Sequence, residues 1–498
     1  MKAGMFRRGL VGYLPSNAVQ AVIGLCTIAL FTRVLSPRDY GDYALAFSAM
    51  SLGHTLFFTW MEAAMARFQV RAREEGELGE HLATLYRMWF AIASAFALVG
   101  GAAIALWPAA APVKWAMAAG LFAILTRSLL KFVQERRRAD GEVAGAVRLD
   151  VVQSIGGFLL GLTFIAAGAR ASGAIGGMGA IAAVVLVFSL PGEMSAIGKA
   201  RPGATRARSY FAYGAPVAAG LVLSAVMATT DRFLLAAFDG ETAVGAYHAG
   251  SSLAGRAMDA IFIWLAMAGG PAMIAALERG GEAALEKAAR RQAETMIAIG
   301  LPAMVGLVLV ARPLAAVMIG PSLSAEAGMV AAWIAVAGFL AGLTCYYLNL
   351  AFTLARRTGL LVVSMSIAAA SNVILNLALI PRFGLQGAMW GTTASFAVAA
   401  AASLILGRRA LHLPLCLATL ARAAAAVLAM ALAVLALPAP GGILEVAIDV
   451  ATGAGVYALA AFGLDLLGVR SLALARLATA RRAPARSALE RLTSVGSR

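Results

Sequence analysis

Arg127, Asp231, Arg232, Arg256, Asp259 and Arg312 are each embedded in long apolar runs, and Glu62 and Arg67 stand near the end of another. An ionisable group near the centre of a bilayer costs roughly 2.5–3.5 kcal/mol on insertion scales, so one that persists faces a partner or a wet cavity. Arg256 and Asp259 are three residues apart and share a helical face, a spacing that allows an ion pair. Asp231 and Arg232 are adjacent, point about 100° apart, and need separate partners. Two readings stay open: these four groups are structural ion pairs tying two helices together, or they form a cavity wall. The surplus of cations within the apolar runs favours a path for something anionic. Glu62 is a candidate coupling carboxylate, or a snorkelling partner of Arg67.

The elements that must position these charges are transmembrane helices. Of 498 residues, 61% are hydrophobic and 13% charged, and mean hydropathy is +0.82. A water-soluble domain could not hide so much apolar surface. A spanning helix needs about 20 mostly apolar residues. Such segments recur at 9–34, 43–66, 85–107, 115–133, 144–168, 174–190, 210–237, 246–277, 293–318, 328–355, 359–380, 385–406, 415–437 and 443–467. The expected fold class is therefore all-α integral membrane, with about 14 transmembrane helices.

Orientation follows from the 41 Lys and Arg residues, because short loops rich in them stay in the cytoplasm. With both termini cytoplasmic, only Arg33, Arg38, Lys114, Arg170 and Arg382 face outward. Arg136, Arg137, Arg138, Lys199, Arg201, Arg206, Arg208, Arg290 and Arg291 face in. The net charge of +16 thus sets topology and does not advertise nucleic-acid binding. The basic start at 5–10 leads into an apolar run too long for a cleaved signal, which reads as a retained first helix. Cys26, Cys345 and Cys416 all fall in spans, and the four His residues have no ligand spacing, so no disulfide, metal or cofactor is expected.

Two halves carry similar punctuation about 200 residues apart, as in transporters built from structural repeats. Pro15 follows Tyr13 and Pro216 follows Tyr213; each helix then runs to an Arg, Arg33 or Arg232. An outward turn and a Gly-x-Tyr follow, Gly41-Asp42-Tyr43 or Gly245-Ala246-Tyr247. This divides the chain into an N-terminal lobe at 1–208, a C-terminal lobe at 209–411, and helices thirteen and fourteen with a basic tail at 412–498. The tail, with Arg470, Arg476, Arg481, Arg482, Arg486 and Arg491, is expected to rest on the anionic inner leaflet or to be disordered. Gly157 with Gly161, Gly338 with Gly342, and Gly387 with Gly391 have the GxxxG spacing of close helix contacts. The glycine run at 173–179 lacks the Lys-Ser/Thr of a phosphate loop and enters an apolar span.

Three segments together carry a resemblance. They are Leu30-Phe-Thr-Arg-Val-Leu-Ser-Pro-Arg-Asp-Tyr-Gly41, Asp231-Arg-Phe-Leu-Leu235 with Val244-Gly-Ala-Tyr247, and Asn376-Leu-Ala-Leu-Ile-Pro-Arg-Phe-Gly-Leu-Gln-Gly-Ala388. The chain resembles the polysaccharide transporter family of lipid-linked oligosaccharide flippases, within the multidrug/oligosaccharidyl-lipid/polysaccharide (MOP) exporter superfamily. The resemblance implies a MOP/MATE-like fold of two six-helix lobes related by pseudo-symmetry plus two C-terminal helices, working by alternating access. Its implied cargo is an undecaprenyl-pyrophosphate-linked oligosaccharide carried across the inner membrane for surface or exopolysaccharide synthesis. Polysaccharide polymerase and other glycan-assembly proteins are the implied partners, besides membrane lipid. Arg256, Arg232, Arg127 and Arg67 are then the expected substrate-binding cations, and Asp231, Asp259 and Glu62 the coupling or ion-pair carboxylates.

Arg256-Ala-Met-Asp259 also matches the Arg-x-x-acid of helix eight in the related lipid II flippases. The paired Arg at the inner end of their helix two is missing, since Glu62 and a single Arg67 stand here. The drug/proton antiporters of the superfamily often couple through a helix-one Asp, where this chain has only Asn17 and Gln20 as polar groups. A membrane polysaccharide polymerase would need a substantial outward loop, and every outward loop here is short. A transporter, not an enzyme, is the expected class.

Overall fold

The computed structural model describes residues 3–471, with side chains from residue 15 onward. Arg476, Arg481, Arg482, Arg486 and Arg491 of the basic tail lie outside the described residues. The helices are α1 (Ala3–Val34), α2 (Pro37–Phe57), α3 (Thr59–Glu74), α4 (Leu78–Leu106), α5 (Ala111–Ala139), α6 (Val143–Phe164) and α7 (Arg170–Ile197). They continue as α8 (Ala204–Phe238), α9 (Glu241–Met318), α10 (Pro321–Leu343), α11 (Leu350–Leu354), α12 (Thr358–Ala410), α13 (Leu417–Leu435) and α14 (Gly442–Gly463). No strand occurs among the described residues.

Ten helical segments of the described chain are long and apolar enough to cross a membrane. Three are far too long for one crossing: 143–197, 241–318 and 358–410, of 55, 78 and 53 residues. Each is broken at a glycine with positive φ, Gly168 (90°), Gly281 (64°) and Gly384 (52°), a conformation that other residues adopt only under strain. Each is thus a helical hairpin, which makes thirteen crossings. The fourteenth is the α2–α3 pair, interrupted at Phe58 (φ −116°, ψ −32°). There the Thr59 hydroxyl donates to the His54 carbonyl at 3.3 Å and competes with the helical ladder. Leu98, Val99, Leu106, Phe188 and Leu459 are exposed, as side chains in contact with lipid would be. The protein is a polytopic, multi-pass membrane protein of about fourteen helices.

The start of α2 explains the motif around Ser36-Pro-Arg-Asp39. Ser36 caps the helix by accepting from the Asp39 backbone N–H at 3.1 Å, and Pro37 occupies the first turn, where no amide partner is lost. The cap aims α2 so that Gly41 lies against the chain at Glu241, closely enough that a Cβ on Gly41 would stand 1.7 Å from the Glu241 carbonyl oxygen. Gly245 in turn faces the Pro37 carbonyl and the Gly41 amide. The two Gly-x-Tyr turns are therefore interlocked, with Tyr40, Tyr43 and Tyr247 buried around them. Next to this seam Gly320 donates its amide to the Thr32 hydroxyl at 2.9 Å, and Arg33 donates to the Met318 carbonyl at 2.9 Å.

By packing, the chain forms two units. The first comprises Met1–Leu253, Met318–Val330 and Val362–Ala399; the second comprises 254–317, 331–361 and the chain from 400 onward. In the first unit α8 packs along both α2 and α3, so residues 209–253 pack with the preceding part of the chain. The α6–α7 crossing there is a glycine contact, since a Cβ on Gly177 would sit 2.2 Å from the Gly161 amide nitrogen. In the second unit a core of Met258, Phe262, Leu265, Met296 and Phe339 closes over Gly338 and Gly342, where Met258 and Phe262 fill the space a side chain would need. Gly387 and Gly391 face the chain at Leu379 and Asn376. All three GxxxG pairs thus sit at close helix contacts.

Candidate functional site

Asp231 and Arg232 diverge from adjacent positions of α8. The Asp231 side chain is 3% exposed; it accepts from the Arg232 amide at 2.8 Å and from the Thr392 hydroxyl at 3.5 Å. Thr392 also shares a 2.9 Å hydrogen bond with the Tyr247 hydroxyl. Next along the hairpin, Asn372 donates to Ser395 at 3.1 Å and Asn376 donates to Asn372 at 3.2 Å. Asp231 therefore belongs to a buried cluster of hydroxyls and amides, and no ion pair holds it among the described residues.

The Arg232 guanidinium goes the other way. It donates to Ser48 on α2 at 3.4 Å, to Ser251 on α9 at 3.2 Å and to the Ala228 carbonyl at 2.8 Å, while its Nε has no hydrogen-bond partner among the described residues. Arg127 of α5 reaches the same helix, with Nη1 at 4.0 Å from the Met50 sulfur and 3.5 Å from the Met178 sulfur. Two guanidinium groups thus meet α2 at Ser48 and Met50, and neither has a carboxylate within ion-pairing distance among the described residues. His248 stands against Tyr40, Tyr43 and Phe47, with ring centroids at 6.0, 6.1 and 6.0 Å.

Two expected pairings are corrected by the geometry. Glu62 does not pair with Arg67; its Oε1 lies 3.0 Å from His54 Nε2 across the Phe58 break, and Arg67 is exposed. Arg256 and Asp259 share a helical face in the second unit, as their spacing requires, but no ion pair joins them and both are exposed. A spacing of three permits a contact without enforcing it. Arg312, also in the second unit, is exposed as well.

Sequence reasoning missed a buried ionic network in the first unit. Arg136 pairs with Glu193 at 2.7 Å, and Tyr86 donates to the same carboxylate at 3.0 Å. Asp140 takes Arg73 at 2.7 Å and Gln69 at 3.0 Å, and Arg138 bridges Glu135 and Asp150 at 2.6 Å each. In the sequence Arg136 and Arg138 stand only as topological markers. Outside the spans, Asp42 is 1% exposed, and neither carboxyl oxygen has a hydrogen-bond partner among the described residues. Burial pushes its pKa up to about 7, with the negative charges of Glu241 and Asp39 adding and Arg38 opposing.

Comparisons with known proteins bear on this arrangement. A family model described as "Polysaccharide biosynthesis protein" matches residues 30–325. A search of curated proteins gave no match. Among solved structures, a lipid II flippase MurJ in an inward closed conformation superposes with a TM-score of 0.73 at 14% identity, over 91% of this chain and 98% of that one. A multidrug resistance MATE family transporter of the MOP superfamily, inward-facing, gives 0.64 at 14% identity, over 78% and 94%. An outward-facing transporter of that kind gives 0.54 at 14% identity, over 81% and 94%. At such identities the likeness is one of fold: a MOP-type arrangement of membrane helices.

Proposed function

The chain belongs to the polysaccharide biosynthesis protein family and has the fold of MOP superfamily transporters, and from that premise we propose that it flips an undecaprenyl-pyrophosphate-linked oligosaccharide across the inner membrane. In this reading the lobes at 1–208 and 209–411 rock against each other around the substrate, with both termini cytoplasmic and residues 412–498 as an appendage. The polar glycan needs a hydrated path, whereas the polyprenyl tail can remain in lipid.

The observation that supports it best is the state of Arg127 and Arg232. Among the described residues these two guanidinium groups beside α2 make contacts only with sulfur, hydroxyl and carbonyl groups, and neither has a carboxylate within ion-pairing distance, although Asp231 neighbours Arg232 in the chain. A cation held in a span without a counter-ion is costly unless an anion visits it. A pyrophosphate is such an anion, and guanidinium is suited to its oxygens through paired hydrogen bonds. Arg256 and Arg67, both exposed, complete the proposed substrate-binding set. Asp231, Asp259 and Glu62 are the proposed coupling or ion-pair carboxylates.

The test is a deletion strain complemented with Arg127→Met and Arg232→Gln variants, scored for surface glycan and for drug susceptibility. The flippase reading expects loss of glycan, no change in drug tolerance, and variants that accumulate normally in the membrane yet fail to restore export. Loss of drug tolerance with intact glycan would transfer the protein to the cation-coupled drug antiporters. Accumulation of lipid II would assign it to the peptidoglycan precursor.

A further inference from the structure

A cleft of about 810 Å³ lies in the crease of the α9 hairpin, well apart in sequence from the cations on α5 and α8. One wall is Trp264, Met267, Ala268, Gly269 and Ala272; the other is Ala284, Lys287, Ala288, Arg291, Gln292 and Thr295. Both walls belong to the second unit. The cleft is held open by a specific device. Gln292, 8% exposed, donates across it to the Leu265 carbonyl at 3.1 Å. Gly269 makes room for that amide, since a Cβ there would lie 1.8 Å from the Gln292 Oε1. The crossing bond fixes the separation of the two arms, and small Ala residues on each side leave the space between them unfilled.

The lining changes character along its length. Trp264 and Met267, 65% and 55% exposed, lie well inside the apolar run that ends near residue 277. Trp264 is about 25 Å along its arm from the turn at Gly281, and Lys287 and Arg291 about 9 and 15 Å along the other, so the apolar wall runs roughly 10–16 Å beyond the charges. Lys287 and Arg291 lie between the apolar runs at 246–277 and 293–318. They are four residues apart, hence on one face. Neither has an ion-pair partner among the described residues. The nearby acids are placed elsewhere: Glu286 pairs with Arg290 at 3.5 Å, Glu294 accepts from Thr419 at 3.5 Å, and neither Glu278 nor Glu282 lines the cleft. The cleft therefore presents an apolar trough capped by two positive charges at its polar end.

We propose that this crease binds one anionic phospholipid of the bilayer, with Lys287 and Arg291 on its phosphate and its chains along Trp264, Met267, Ala268 and Ala272. Charge complementarity selects an anionic headgroup, and the depth of the apolar wall selects a lipid over a soluble phosphate. On the orientation given by the loop charges, the lipid comes from the cytoplasmic leaflet, where anionic headgroups attract basic side chains. The site would be structural, holding the α9 hairpin at the membrane surface.

The test uses the full chain purified in detergent, with dioleoyl phosphatidylglycerol and dioleoyl phosphatidylcholine as probes, read by native mass spectrometry and by the shift in unfolding temperature. Phosphatidylglycerol should be retained and should raise the unfolding temperature, and phosphatidylcholine, with the same chains, should do neither. Lys287→Ala with Arg291→Ala should weaken phosphatidylglycerol binding on the order of thirtyfold. Ala288→Leu keeps both charges and fills the trough, and it should also abolish retention, which gives a second reading if the double variant does not fold. Millimolar inorganic phosphate should not displace the lipid. Equal retention of both lipids, or undiminished selectivity in a folded variant, would overturn the proposal. Displacement by undecaprenyl phosphate more readily than by phosphatidylglycerol would overturn it too, and would give the crease to the substrate tail.

Discussion

Gly41→Ala puts one methyl group into the tightest contact of the interlocked turns. Its Cβ would stand 1.7 Å from the Glu241 carbonyl oxygen and 2.5 Å from the carbonyl carbon. A carbon meets a carbonyl oxygen comfortably at about 3.3 Å, so the two backbones must part by roughly 1.5 Å. Backbone faces backbone here, and no flexible side chain can move aside instead. Overpacking of this kind costs about 1–3 kcal/mol, which lowers the population of the interlocked arrangement roughly 5- to 150-fold relative to any state in which the turns are apart. Gly220→Ala, where nothing lies within 4 Å, is the matched control. Spin labels at Val34→Cys and Thr242→Cys, both on exposed positions, report the separation once Cys26, Cys345 and Cys416 are replaced by Ser. The alanine variant should show a longer and broader distance distribution and a proportionate loss of transport, and the control neither. An unchanged distance with transport at the parental rate would show that the seam is not a contact the cycle makes and breaks.

Other outcomes follow from the same structure. Arg136→Ala should lower stability by about 3–5 kcal/mol, because it strands the buried Glu193 carboxylate, and Arg136→Met with Glu193→Gln should recover most of the loss; thermal unfolding in detergent measures both, and an undisturbed single variant would refute the network's role. The Asp42 carboxyl is raised from 3.8 to about 7 where it is buried, so the closed seam holds a proton that the open one releases. Closure should therefore be favoured below about pH 4, weaken as pH rises to about 7 and stay weak above; the 34–242 distance should lengthen across that window, and Asp42→Asn should flatten the response. Reporter fusions after Arg138, Arg208 and Arg291 should read cytoplasmic and those after Pro112 and Pro381 periplasmic, and reversal at two or more sites would overturn the orientation.

The spans were legible because hydrocarbon imposes a simple rule, about 20 apolar residues per crossing. The pairing of Gly41-Asp42-Tyr43 with Gly245-Ala246-Tyr247 could be read as a repeat, yet nothing in either triplet says that the two turns press against each other. The partners of the intramembrane charges were harder. Spacing offered Asp259 to Arg256 and Arg67 to Glu62, because only neighbours on a helix can be inferred from one sequence. Glu62 instead meets His54, eight residues away, a separation of about 12 Å on a straight helix. The break at Phe58 is what brings them to 3.0 Å, and no periodicity reveals it. Glu193 meets Arg136 across 57 positions for the same reason: helix packing, not local order, sets the encounter. Charges to which spacing offers a partner are bonded elsewhere or exposed, while the guanidinium groups of Arg127 and Arg232 contact only sulfur, hydroxyl and carbonyl groups among the described residues. A membrane cation without an ion pair is the feature structural pairing does not account for, and under the proposed function it is at these two residues that an anionic substrate would have the most to contribute.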